Sequence, residues 1–74
     1  MNRAKFAARL KALRESERPC KSRKVLSELC GLHSDAIRRY ELQQETPSVD
    51  ALIAIANYFH VSLDYLVGRV EENF

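Results

Sequence analysis

Ser34, Asp35, Arg38 and Arg39 recur at i, i+1, i+4 and i+5, a spacing that collects them on one face of a helix. Arginine presents a planar fork of donors and aspartate a pair of acceptor oxygens, so this face can recognise a ligand rimmed with hydrogen-bonding edges. Asp35 has two other uses open to it: its charge can stabilise a helix N-terminus, or it can hold Arg38 or Arg39 in place at i+3 and i+4. A second cluster, Lys21-Ser22-Arg23-Lys24, stands where a helix is predicted to begin. Unpaired backbone N–H groups there would add to the basic side chains, and the combination suits phosphate. A plain solvated surface is the alternative for both clusters.

Covalent and metal chemistry find less support. Cys20, Cys30, His33 and His60 are the only Cys and His residues, and they lack the two close ligand pairs of a zinc site. They form no nucleophile-base-orienter set, and the chain has no Gly-rich phosphate loop, so neither an enzyme nor a cofactor is expected. The two thiols are expected to stay reduced.

The elements that carry these clusters follow from apolar spacing. Phe6, Leu10 and Leu13 mark one face of a helix from Asn2 to about Ser16, and Pro19 makes the stretch from Glu17 to Lys21 a loop. Ser22 is the predicted N-cap of a second helix over 23–30, with Leu26, Leu29 and Cys30 facing inward. Gly31 tolerates positive φ and lets the chain turn into a third helix, which starts at His33 or Ser34, ends near Leu42 and buries Ile37 and Tyr40. Pro47-Ser48 opens a fourth helix with a stripe of Leu52, Ile55, Ala56 and Phe59, ended by His60. Ser62 caps a fifth, striped by Leu63, Leu66, Val67 and Val70, and 71–74 is expected to be a frayed tail. No strand alternation is present. The fold class expected is therefore all-α, a compact five-helix bundle forming one domain over 1–74.

At 74 residues the chain buries only about 60% of its unfolded surface, so one small domain without a small-molecule effector domain is expected. No apolar run approaches a membrane span, and the basic start, Asn2 to Lys5, is not followed by a secretory pattern, so a cytoplasmic location is expected. The net charge of +2 hides a division: residues 1–39 hold 11 Lys/Arg against 4 acidic residues, and 40–74 hold 1 against 6. One half thus suits a polyanion and the other suits something else, such as a partner subunit.

Between 23 and 42 lie two short helices joined by a tight turn, with small Ser27 and Gly31 at the crossing and Ile37 as an apolar plug. Arg9-Leu10-Lys11-Ala12-Leu13-Arg14, Leu26-Ser27-Glu28-Leu29-Cys30-Gly31-Leu32, Ile37-Arg38-Arg39-Tyr40-Glu41, Thr46-Pro47-Ser48 and the run from Tyr58 to Gly68 follow in order. On these motifs the chain resembles the Cro/lambda-repressor class of bacterial and phage regulators, the XRE family, across about residues 6–68.

The resemblance implies a lambda-repressor-like fold and operator DNA as ligand. It carries base reading onto Ser34, Asp35 and Arg39, with Arg38 beside them, and a pairing of Arg14 with Glu41 that orients the recognition helix; Tyr40 is then mainly core. Arg suits guanine O6 and N7, and Asp can accept from cytosine N4. Three departures stand out: Arg23 replaces the usual Gln, the first loop is about two residues longer, and Leu42-Gln43-Gln44-Glu45 replaces Arg-Gly-Lys. Gln43 and Gln44 could still donate neutral hydrogen bonds to phosphate. The function expected is a double-stranded DNA-binding transcriptional regulator, a repressor on a palindromic operator bound as a homodimer. Leu66, Val67, Val70 and Phe74 are the expected partner surface, unless they complete the core. The rival is a protein-binding module, an antitoxin or anti-repressor, on the same fold.

Overall fold

Short polar residues begin four of the five helices, each by the same means. The side chains of Asn2, Ser22, Ser48 and Ser62 accept hydrogen bonds from the backbone N–H three residues on, satisfying a donor that a helix start leaves unpaired. The computed structural model describes residues 1–71, in which these caps open α1 (Arg3–Ser16), α2 (Arg23–Leu29), α4 (Val49–Phe59) and α5 (Leu63–Leu66); α3 (Ala36–Glu41) lies between. Among the described residues there is no strand, and no helix is long and apolar enough to cross a membrane.

Every helix contributes to one core. Phe6 and Leu10 of α1, Leu26 of α2, Ala36, Ile37 and Tyr40 of α3, Ala51, Ile55 and Ala56 of α4 and Leu66 of α5 form a single buried cluster. The Phe6 and Tyr40 rings meet at 6.0 Å, which joins α1 to α3. Tyr58, from α4, donates its hydroxyl to the Glu17 carboxylate and so ties down the loop before α2.

Several expectations need correction. Leu29 was expected to face inward but is 54% exposed, because α2 turns only Leu26 and Ser27 fully toward its neighbours. The third helix begins at Ala36 rather than at His33 or Ser34, which belong to the preceding turn. Asp35 occupies its N-cap position yet makes no cap hydrogen bond, since its carboxylate is taken up by arginines.

The fifth helix stops after one turn. Gly68 adopts φ +86°, and a Cβ there would lie 3.1 Å from the Cβ atoms of Asn2 and Lys5, so the chain breaks its helix to pass close against α1. Leu66 is consequently a core residue and not a partner contact, while Val67 and Val70 are half-buried outside the helix. Phe74 lies outside the described residues. Glu71, expected to fray, reaches back to Lys5 and Arg9, and the Arg9 guanidinium also donates to the carbonyls of Tyr65 and Val70.

Candidate nucleic-acid interface

Ser27 holds the two central helices together. It is fully buried, donates to the Arg23 carbonyl at 2.8 Å and accepts from the Ile37 N–H at 3.0 Å. A hydroxyl on α2 thereby caps α3, the service Asp35 does not perform. Gly31, at φ +73°, makes the turn between them, and the Leu32 N–H donates to the Ser27 carbonyl at 2.9 Å. Small size at position 27 was legible in the sequence; that its hydroxyl would serve as a cap was not.

From the other side α3 is clamped to α1. Arg14 donates from Nε and Nη2 to both oxygens of the Glu41 carboxylate, at 2.8 and 3.0 Å, and from Nη1 to the Lys21 carbonyl at 3.3 Å. The Arg14 and Glu41 side chains are 13% and 4% exposed, so water is largely excluded. Glu41 raises the Arg14 pKa above its ordinary value by hydrogen bonding, against the lowering effect of burial. Tyr40 is buried beside this pair, and burial pushes its hydroxyl pKa up.

With Ala36, Ile37 and Tyr40 packed inward, α3 turns Arg38 and Arg39 outward. Asp35 joins them. Arg38 donates from Nε and Nη2 to the two Asp35 oxygens at 2.6 and 2.7 Å, and Arg39 donates from Nε at 2.9 Å. The Asp35, Arg38 and Arg39 side chains are 38%, 38% and 47% exposed, leaving the cluster in contact with solvent. Arg38, and after it Arg39, holds the Asp35 carboxyl well below the usual carboxylate range. Ser34 is exposed in the turn just before the helix.

The basic cluster at α2 divides. Arg23 and Lys24 are exposed, and the Ser22 side chain is spent on its cap to the Val25 N–H at 3.1 Å. Lys21 turns back instead, 3.7 Å from Glu17 and over the Tyr58 ring. Tyr58 raises its pKa, with Glu17 assisting. After α3, Gln43, where the resemblance implies a glycine, takes the left-handed conformation at φ 59°, and the Gln44 N–H returns to the Arg39 carbonyl at 2.8 Å. Both glutamines are exposed, and Arg3 of α1 donates to the Gln43 carbonyl at 3.1 Å. Sequence spacing could not foresee that long-range contact. His33 lies 3.5 Å from Glu45, linking the turn before α3 to the loop after it.

No group of three or more His, Cys, Asp or Glu residues is placed to hold a metal among the described residues. Cys20 and Cys30 are free thiols, and burial raises the Cys30 pKa, disfavouring its thiolate.

A helix-turn-helix family model matches residues 10–66. No curated protein matches the chain. Among solved structures, the P22 c2 repressor protein, crystallised in complex with synthetic operator 9T in the presence of Tl+, superimposes with a TM-score of 0.73. The two are 24% identical, over 84% of this chain and 91% of that one, a likeness that establishes the lambda-repressor-like five-helix fold. With the family match spanning most of its length, the chain belongs to the XRE-type helix-turn-helix family.

Proposed function

We propose that this protein is a sequence-specific double-stranded DNA-binding transcriptional regulator, and specifically a repressor that occupies a palindromic operator as a homodimer. The observation that carries this reading is the two-sidedness of α3. Its inner residues are packed in the core while Arg38 and Arg39 lie outside it, and Ser34, Arg23, Lys24, Gln43 and Gln44, on α2 and the segments bordering α3, are exposed as well. Cations in that arrangement attract a phosphate backbone, and an outward arginine fork suits base edges. The structural likeness to a repressor that was crystallised with its operator agrees with this use of the fold.

A six-residue helix reaches few base pairs, so two copies about 34 Å apart would supply specificity. Val67 and Val70, together with exposed Leu63, are the surface we assign to that pairing.

Selection of bound fragments from random duplex DNA tests the reading directly. It should return a two-fold symmetric site whose affinity falls steeply with salt. In that assay Lys24→Ala should weaken all duplexes alike and flatten the salt slope. Arg39→Ala should relax preference at one base position in each half-site. Salt-insensitive affinity for a protein, without duplex binding, would replace this reading with the antitoxin or anti-repressor one.

A further inference from the structure

We propose that Asp35 is a positioning residue that reads no base itself, and that it aims Arg39 as the arginine that discriminates guanine. The proposal rests on the DNA-binding reading above and deepens it. A carboxylate has two oxygens, and both are occupied: one accepts from Arg38 Nε, the other from Arg38 Nη2 and Arg39 Nε. Contacts of 2.6–2.9 Å between full charges are the strong kind. Three of its roughly four acceptor sites are thus taken by the arginines, and what remains is one lone pair of Oδ1, on an oxygen already engaged by Arg38.

The two arginines are not held alike. Arg38 is gripped along one edge through two nitrogens, so one of the two Nη2 hydrogens is already committed and its guanidinium is drawn onto the carboxylate. Arg39 is held by Nε alone, and both its Nη groups are without a partner among the described residues. Holding Nε restrains the side chain while leaving all four Nη hydrogens free, the two along its outer edge among them. That edge carries the two parallel N–H donors which guanine O6 and N7 accept. Holding the side chain there in advance also removes rotamer entropy that binding would otherwise have to overcome. Arg39 has the more exposed side chain of the two, 47% against 38% for Arg38.

The test measures equilibrium binding to the selected duplex and to its single-base variants, for the parent protein and for Asp35→Ala, Asp35→Asn, Arg38→Ala, Arg39→Ala and the Asp35→Ala/Arg39→Ala double variant. Arg39→Ala is expected to lower discrimination at one guanine by roughly tenfold. Asp35→Ala should lose several-fold at that same position and at no other, and the double variant should discriminate no worse than Arg39→Ala alone. Asp35→Asn, which keeps one acceptor oxygen, should fall between Asp35→Ala and the parent. Arg38→Ala should leave base preference intact. A merely structural role for Asp35 would weaken every duplex together and leave the ratios unchanged. The proposal is overturned by that result, or if Asp35→Ala erases preference at a position that Arg39→Ala leaves intact. Absence of salt-dependent duplex binding by the parent protein would instead sink the regulator reading itself, and this proposal with it.

Discussion

Glu41 and Asp35 stand at opposite ends of one short helix, each a carboxylate gripping arginine, yet they differ in access to water. Glu41 meets Arg14 with its side chain 4% exposed, while Asp35 meets Arg38 and Arg39 at 38%. Removing one partner of a buried pair strands a charge where no water can solvate it. At the surface water replaces the lost partner, so little stability depends on the contact. The same chemistry therefore anchors α3 at its C-terminal end and leaves its N-terminal end adjustable. An element that must be held firmly yet accommodate a ligand needs both.

The sharpest way to break this comparison is at Glu41. Glu41→Ala should lower the free energy of unfolding by about 3 kcal/mol, read from urea titration, because Arg14 stays largely buried without its counter-charge. A loss no larger than that of a surface pair would mean that water reaches Arg14 and that burial is not what separates the two sites.

Ser27→Ala comes next. It leaves the buried Ile37 N–H without an acceptor and should cost about 2 kcal/mol, with amide exchange at Ile37 accelerated beyond that of its neighbours in the core. Gly31→Ala should cost about 1 kcal/mol: a Cβ at that position meets nothing within 4 Å, so only the φ of +73° penalises it.

Smallest is the effect of Asp35→Ala on stability, which should leave the unfolding midpoint close to the parent's even as base discrimination falls. The acid dependence has a defined sign. Because the arginines hold the Asp35 pKa below its ordinary value, its contribution is complete above the usual carboxylate pKa and is lost only as the pH falls below it. Melting curves of parent and variant should therefore keep the same separation between pH 7 and pH 5, and a separation that closes in that interval would contradict the pairing.

Local chemistry was legible from residue types. The serines at 22, 48 and 62 cap the helices they were expected to open, and Gly31 turns where positive φ was anticipated. Asp35 at i−3 and i−4 from Arg38 and Arg39 was likewise readable as a holding group, although spacing left it open whether the carboxylate would cap the helix instead. Periodicity misled at the fifth helix, where Leu63, Leu66, Val67 and Val70 fit a continuous stripe although Gly68 interrupts it. That glycine was a visible warning. Gln43, standing where the resemblance has its turn glycine, was a second, and it takes positive φ with Arg3 bonded to its carbonyl and Gln44 returning to Arg39.

By itself the sequence determined that the chain is helical throughout its core, that serines at 22, 48 and 62 cap helices and that Gly31 turns, since these depend on contacts within three or four residues. Tertiary structure alone decided which ion pair loses its water, which hydroxyl caps α3 and that Leu66 belongs to the core. Those outcomes depend on groups distant in the chain meeting and excluding solvent, and no local spacing encodes that meeting.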